Sequence, residues 1–178
     1  MNMPGVDESL PFKPLRVAIL TISDTRDLQS DTSGQLLMDR AKAAGHDIIA
    51  RDLVTDDAVK IRLIVSRWID DPNIEVVITT GGTGFTQRDV TPEALMPLFE
   101  KNIDGFSVVF HKVSFESVGL STLKSRACAG LAEDTFIFCL PGSNGAVKDG
   151  WDHILKSQLD IRYKPCNFAE LIPRLQET

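Results

Sequence analysis

The sequence predicts an α/β fold: a three-layer sandwich with a mostly parallel central sheet and helices on both faces. Three observations carry that prediction. Four short apolar runs rich in branched or aromatic residues, at 16–22, 48–54, 76–80 and 136–140, alternate with stretches whose apolar residues recur at helical spacing. Such alternation implies crossover connections, and crossovers on both faces bury a parallel sheet. The chain has 178 residues, 43% hydrophobic and 25% charged, which suits one packed domain and is too apolar for disorder.

Taken in order, residues 1–14 hold three prolines and no periodicity, and read as an extended N-terminal arm; residues 15–178 form the single domain. The first strand, 16–22, ends in the polar loop Ser23-Asp24-Thr25. Thr32 and Gln35 have capping-box spacing, so a helix begins there with Thr32 as cap, carries Leu37, Ala41 and Ala44, and stops at Gly45. The second strand, 48–54, leads to a helix capped by Asp56 or Asp57, with Ile61, Ile64, Val65 and Trp68 on its apolar face and Pro72 beyond its end. The third strand, 76–80, runs into Gly81-Gly82-Thr83-Gly84. Thr91 caps the next helix, with Pro92 in its first turn. Residues 105–118 follow a helical rhythm that sets Phe106, Val109, Phe110 and Val113 on one side. The fourth strand, 136–140, is followed by Pro141-Gly142-Ser143 and a helix carrying Ala146, Val147, Trp151, Ile154 and Leu155. The tail from Lys164, with two prolines, is expected on the surface or against a neighbouring subunit.

Composition narrows the function. A net charge of -6 argues against a nucleic-acid-coating surface. No apolar run approaches the roughly 18 residues that span a bilayer, and the first residues lack the apolar core of a signal peptide. No membrane partner is expected, and the location expected is the cytoplasm. Three cysteines without a Cys-x-x-Cys pair, and three isolated histidines, offer neither a disulfide framework nor a structural zinc site.

In open α/β sheets ligands bind beyond the carboxyl ends of the strands. Those ends here are Ser23-Asp24, Thr55-Asp56, the loop from Thr80 to Gly84, and Pro141-Gly142-Ser143. Glycines let a ligand approach backbone amides closely, and successive N–H groups form an anion nest, to which the hydroxyls of Thr80 and Thr83 add donors. The same glycines also suit a plain tight turn, and the pattern is neither a Walker A loop nor a full dinucleotide fingerprint. Asp89 follows five residues after Gly84, and Asp56 stands at a neighbouring strand end. Carboxylates beside an anion site call for a cation, and Mg²⁺ is the ordinary solution; each aspartate alone is equally a cap or a satisfier of loop amides. Arg126 offers a bidentate fork to a phosphate, and Ser143 caps a helix whose N-terminus favours anions.

Thr79-Thr80-Gly81-Gly82-Thr83-Gly84, then Asp89, Thr91 and Pro92, together with Asp31 to Gly34, Ser114 to Glu116, Ser125 to Ala127, Pro141 to Ser143 and Pro165 to Phe168, resemble in order the molybdenum cofactor biosynthesis family that contains MoaB, MogA and the gephyrin G domain. The resemblance runs nearly end to end and is strongest to the B branch. It implies Mg-ATP-dependent adenylylation of molybdopterin with release of pyrophosphate. By the same resemblance Asp56 and Asp89 are catalytic, and Asp89 holds Mg²⁺. The small-molecule substrates ATP and molybdopterin are bound by Ser23, Thr80, Gly81, Gly82, Thr83, Gly84, Ser125, Arg126, Pro141, Gly142 and Ser143, the pterin phosphate lying near Ser125 and the 141–143 loop. The alternative it leaves is a non-catalytic molybdopterin-binding or carrier protein of the same pathway. It also implies a homo-oligomer, trimer or hexamer, with 105–118 among the contacts.

Overall fold

The computed structural model describes residues 4–175. Strand β1 (Gly5–Val6) precedes the core strand β2 (Arg16–Ile22), helix α1 (Thr32–Ala43), β3 (Asp47–Val54), α2 (Ala58–Ile69) and β4 (Val76–Thr80). Helix α3 (Thr91–Leu95), β5 (Lys101–Asn102), α4 (Asp104–Val118), β6 (Cys128–Ala132) and β7 (Thr135–Leu140) follow. Helix α5 (Asn144–Gly150) continues through a π-helical turn (Trp151–Leu155) into α6 (Lys156–Gln158), and β8 (Tyr163–Lys164) and α7 (Ile172–Leu175) close the chain.

Six strands form one sheet in the order β3-β2-β4-β7-β6-β5, with β6 antiparallel to its neighbours β7 and β5. Strand β2 shows why helices must cover both faces. Its side chains alternate, Val17 and Ile19 packing with α1, α4 and α5 on one side, and Ala18, Leu20 and Ile22 with α2 and α3 on the other. All five are essentially buried, which is the environment a continuous apolar run requires. The chain leaves β2 for β3 on one side and returns to β4 on the other, so the order of connection reverses between β2 and β4. That switch point is where crevices open in such sheets.

The structure corrects several local expectations. Helix α1 is capped by Asp31, whose carboxylate accepts from the Gly34 amide; Thr32 is already inside the helix. Of the two acids before α2, Asp57 is the cap, accepting from the Val59 and Lys60 amides, which leaves Asp56 without that role. Helix α3 has Val90 at its cap and no side-chain cap bond, because the Thr91 hydroxyl donates to the Gly81 carbonyl instead. In α4, Phe106 and Phe110 enter the core but Val109 is 45% exposed. The tail is not confined to the surface: Ala169 and Ile172 are buried against the sheet's first face. Gly5 and Val6 of the proline-rich N-terminal segment pair with Lys164 and Tyr163, and residues 1–3 of the expected arm lie outside the described residues.

Candidate functional site

The carboxyl ends of β2, β3, β4 and β7 converge around a cavity of about 540 Å³. At its floor the ends of β2, β4 and β7 approach so closely that a side chain is excluded. Gly81 has φ +114°, and a Cβ there would overlap the Ile22 carbonyl oxygen. Gly82 has φ +64°, with the Asp56 carboxylate 3.0 Å from where its Cβ would stand and the Thr91 hydroxyl closer still. The loop is therefore fixed by positive-φ glycines on one side and packed carboxylates on the other.

Asp56, Asp89, Ser23, the four residues Gly81 to Gly84, and Pro141, Gly142 and Ser143 all line this cavity. The Gly81 amide is taken, donating to Leu140 O at 3.0 Å. The Gly82 and Thr83 amides have no acceptor among the described residues, so they are the donors available to a ligand. Thr80 is buried beneath the loop, and its hydroxyl holds Pro141 O at 3.1 Å. The Ser143 hydroxyl caps α5, accepting from the Ala146 amide.

Ser125 and Arg126 are not gathered into this cavity. They line a neighbouring one of about 830 Å³ with Met96, His111 and Cys128, and Ser125 also lines a smaller one of about 250 Å³ with Pro141 and Ser143. Rather than standing open to an anion, the Arg126 guanidinium donates to Gly84 O at 2.7 Å and Asp89 O at 2.8 Å, and pairs with Glu93. Its own amide donates to Thr83 O. Arg126 thus braces the glycine loop from behind.

Three acids and three cations share the first cavity: Asp24, Asp56 and Asp89 with Arg26, Arg88 and Lys124. Nothing in the sequence marks Arg26 or Lys124 for this cavity, and Arg88 is marked only by its adjacency to Asp89. Arg88 grips Asp24 bidentately at 2.7 and 2.6 Å. Arg26 reaches Ser33 Oγ at 2.8 Å and Gly142 O at 3.3 Å. Lys124 forms no ion pair among the described residues. Asp89 is tethered, its carboxylate accepting from the Thr86 amide and hydroxyl. Burial raises its pKa, but those bonds from Thr86, with help from Gly84 and Arg126, outweigh burial and hold it below the ordinary value. Asp56 is the opposite case. Burial, then the charges of Asp24 and Asp89, push its carboxyl above the ordinary value, against the smaller opposing effects of Arg88 and the Asp24 amide.

An open α/β sheet with acids, cations and backbone amides gathered at its switch point has the architecture of a small-molecule-binding domain. The comparisons with known proteins agree. The family model described as "Probable molybdopterin binding domain" matches residues 18–160. The molybdenum cofactor biosynthesis protein B of Escherichia coli is 48% identical over 160 residues, 90% of this chain and 94% of that one. A crystal structure of a molybdenum cofactor biosynthesis protein B superposes with a TM-score of 0.84 at 36% identity, covering 93% of this chain and 98% of the other. The tungsten cofactor synthesizing protein MoaB of Pyrococcus furiosus gives 0.76 at 30% identity, with 93% and 99% covered. The chain belongs to the molybdenum cofactor biosynthesis protein B family. Its place is in molybdenum cofactor biosynthesis, with a molybdopterin-binding domain.

Proposed function

We propose that this protein is a molybdopterin adenylyltransferase, joining AMP from ATP to the terminal phosphate of molybdopterin and releasing pyrophosphate. The observation that carries the reading is the pKa-raised Asp56 carboxyl in the same cavity as the Gly82 and Thr83 amides and the tethered Asp89. A carboxyl crowded by two like charges is stabilised by a divalent cation, so the donor set fits Mg²⁺ arriving with the nucleotide. Among the described residues no cluster of three acids, histidines or cysteines forms a metal cage. Mg²⁺ does not need one, since it keeps waters and phosphate oxygens as ligands. Asp89 and Asp56 would hold the ion, which neutralises charge on phosphate oxygens when bound.

The chain's own residues supply position and field. A terminal phosphate oxygen of molybdopterin attacks the α-phosphorus of ATP in line, and the bond to the pyrophosphate oxygen breaks. No nucleophilic side chain is required. The Gly82 and Thr83 amides fix a phosphate on a backbone that cannot reorganise, which is how a rigid loop lowers such a barrier. Lys124, unpaired at the cavity wall, and Arg88, 64% exposed at its side chain, face the charge that accumulates on phosphate oxygens. Ser23 and the 141–143 loop complete the wall, Thr80 anchors that loop, and Arg126, with Ser125 beside it, acts as a positioning residue from the adjoining cavity.

The assay is direct: purified protein, molybdopterin and Mg-ATP, with mass spectrometry of the product. Adenylylated molybdopterin and pyrophosphate in equal amounts are expected. Molybdopterin that binds but is recovered unmodified identifies a carrier and overturns the enzymatic reading. We also propose a homo-oligomer, because Val108, Phe115, Val118, Leu120 and Leu123 leave an apolar surface along and after α4, each about half or more exposed. Light scattering at micromolar concentration should give a multiple of the 19.6 kDa chain mass; a monomer excludes it.

A further inference from the structure

Away from the anion cavity, the sheet places two thiols side by side. Cys128 and Cys139 are directly opposite partners on the antiparallel strands β6 and β7. Opposite residues of an antiparallel pair point to the same face, with Cα atoms about 4.5–5.5 Å apart, inside the range a disulfide bridges. Both pack in the same core cluster, on the α2 and α3 side of the sheet. The pair is asymmetric. Cys139 is fully buried, whereas Cys128 is half-buried and lines the cavity of about 830 Å³. Thr79, Cys139 and Cys128 are in register across β4, β7 and β6.

We propose that Cys128 and Cys139 are an oxidisable dithiol, with Cys128 as the thiol attacked first through the cavity and Cys139 as the resolving thiol. Charge supports this division of labour. A hydrogen bond from Cys139 lowers the pKa of Cys128; burial works against it, the Arg126 guanidinium adds to the lowering, and the Glu93 carboxylate opposes it. The same bond, with burial, keeps the proton on Cys139. A thiol with a lowered pKa that faces a cavity is the more readily attacking member of such a pair. The oxidant class is a small neutral hydroperoxide, which an apolar-walled cavity admits. The Cys128 sulfur attacks the terminal oxygen, the O–O bond breaks, and the departing oxygen leaves as alcohol or water with the Cys128 proton. The resulting sulfenic acid is attacked by the Cys139 sulfur; the S–O bond breaks, and hydroxide leaves as water with the Cys139 proton. Two thiols and one hydroperoxide thus give one disulfide, one water and one alcohol or second water.

The chain offers a convenient readout, because Cys128 and Cys139 fall in one tryptic peptide, 127–148, and exposed Cys166 serves as an internal comparison. Reduced full-length protein is titrated with hydrogen peroxide, alkylated with iodoacetamide, digested and weighed. The 127–148 peptide should lose two hydrogens and both alkylation sites before Cys166 is consumed, and dithiothreitol should restore them. In Cys139→Ser, Cys128 should stop at the sulfenic acid and be trapped by dimedone. In Cys128→Ser, Cys139 should stay reduced. The proposal is overturned if the wild-type peptide remains doubly alkylated at peroxide doses that oxidise Cys166, a reading that depends on no variant folding. It is equally overturned if Cys128→Ser leaves the oxidation of Cys139 unchanged.

Discussion

At Asp56 two demands collide. Its neighbour Asp57 takes the capping of α2, so Asp56 contributes nothing to the helix end. What it gains is a half-buried position with Asp24 and Asp89 nearby, and burial and those charges raise its pKa. A carboxyl whose native pKa is raised costs stability at every pH above that value, because it ionises more easily in the unfolded chain. Asp56→Asn should therefore raise the melting temperature at pH 7 in the absence of Mg²⁺. The same change should cut adenylyl transfer about a hundredfold or more, the scale seen when one preorganised electrostatic group is removed. Differential scanning calorimetry and the product assay on one preparation check both. A variant that is less stable and fully active contradicts the role. Gly84 makes the companion case, since the Asp89 carboxylate lies 2.8 Å from where its Cβ would stand. Gly84→Ala should displace Asp89 from its Thr86 contacts and lower turnover while leaving the core intact.

At the scale of elements, Arg126, two residues before β6, ties the approach to that strand to the glycine loop and α3. Three groups receive its guanidinium, in a fork that lysine's single ammonium cannot reproduce. Arg126→Lys should leave stability within about 1.5–3 kcal/mol of wild type, the worth of a hydrogen bond to a charged group. Amides from Gly84 to Asp89 should nonetheless exchange faster in hydrogen–deuterium exchange; unchanged protection there would show that the loop stands without its brace. This element also marks where the sequence was legible and where it was not. The four parallel strands β2, β3, β4 and β7 announce themselves because burial on both faces demands continuous branched or aromatic residues. The loops at their ends, and hence Asp56, Asp89 and the glycines, follow from chain order alone. Strand β6 does not announce itself: it is built of small residues, because the Phe99 ring lies where a Gly130 side chain would stand. Its β-propensity is low for a packing reason that only the folded partner reveals. With β6 hidden, Arg126 looked like a free fork and the Cys128–Cys139 pairing was invisible. The expected caps Thr32 and Thr91 fail for a related reason: their hydroxyls donate to Asn144 and to the Gly81 carbonyl, residues distant in the chain.

For the whole molecule, His46 joins parts that the sheet alone does not hold together. It follows α1, its ring lies between Phe12 and Trp151 at centroid distances of 5.4 and 6.1 Å, and its Nδ1 accepts from the Leu15 amide at 3.2 Å. The N-terminal segment, the start of β2 and the π-helical turn after α5 thus meet on one imidazole. Accepting that bond requires the neutral ring. Burial lowers the His46 pKa, and the carboxylates of Asp160, Asp47 and Glu75 only partly offset this. A histidine with a depressed native pKa binds its proton more readily when unfolded, so stability is complete above the ordinary value near 6.5 and declines as pH falls below it. Asp31 and Asp160, whose native pKa values are lowered, act in a separate and more acidic window, below the ordinary carboxylate range. Melting temperature should therefore fall in a first step between pH 7 and 5, before the carboxylates titrate. His46→Gln keeps an acceptor for Leu15 and has no proton to take up, so it should be less stable at pH 7 yet lose that first acid step. If the step persists in His46→Gln, the acid sensitivity belongs to another group, and the N-terminal segment is not held through this ring.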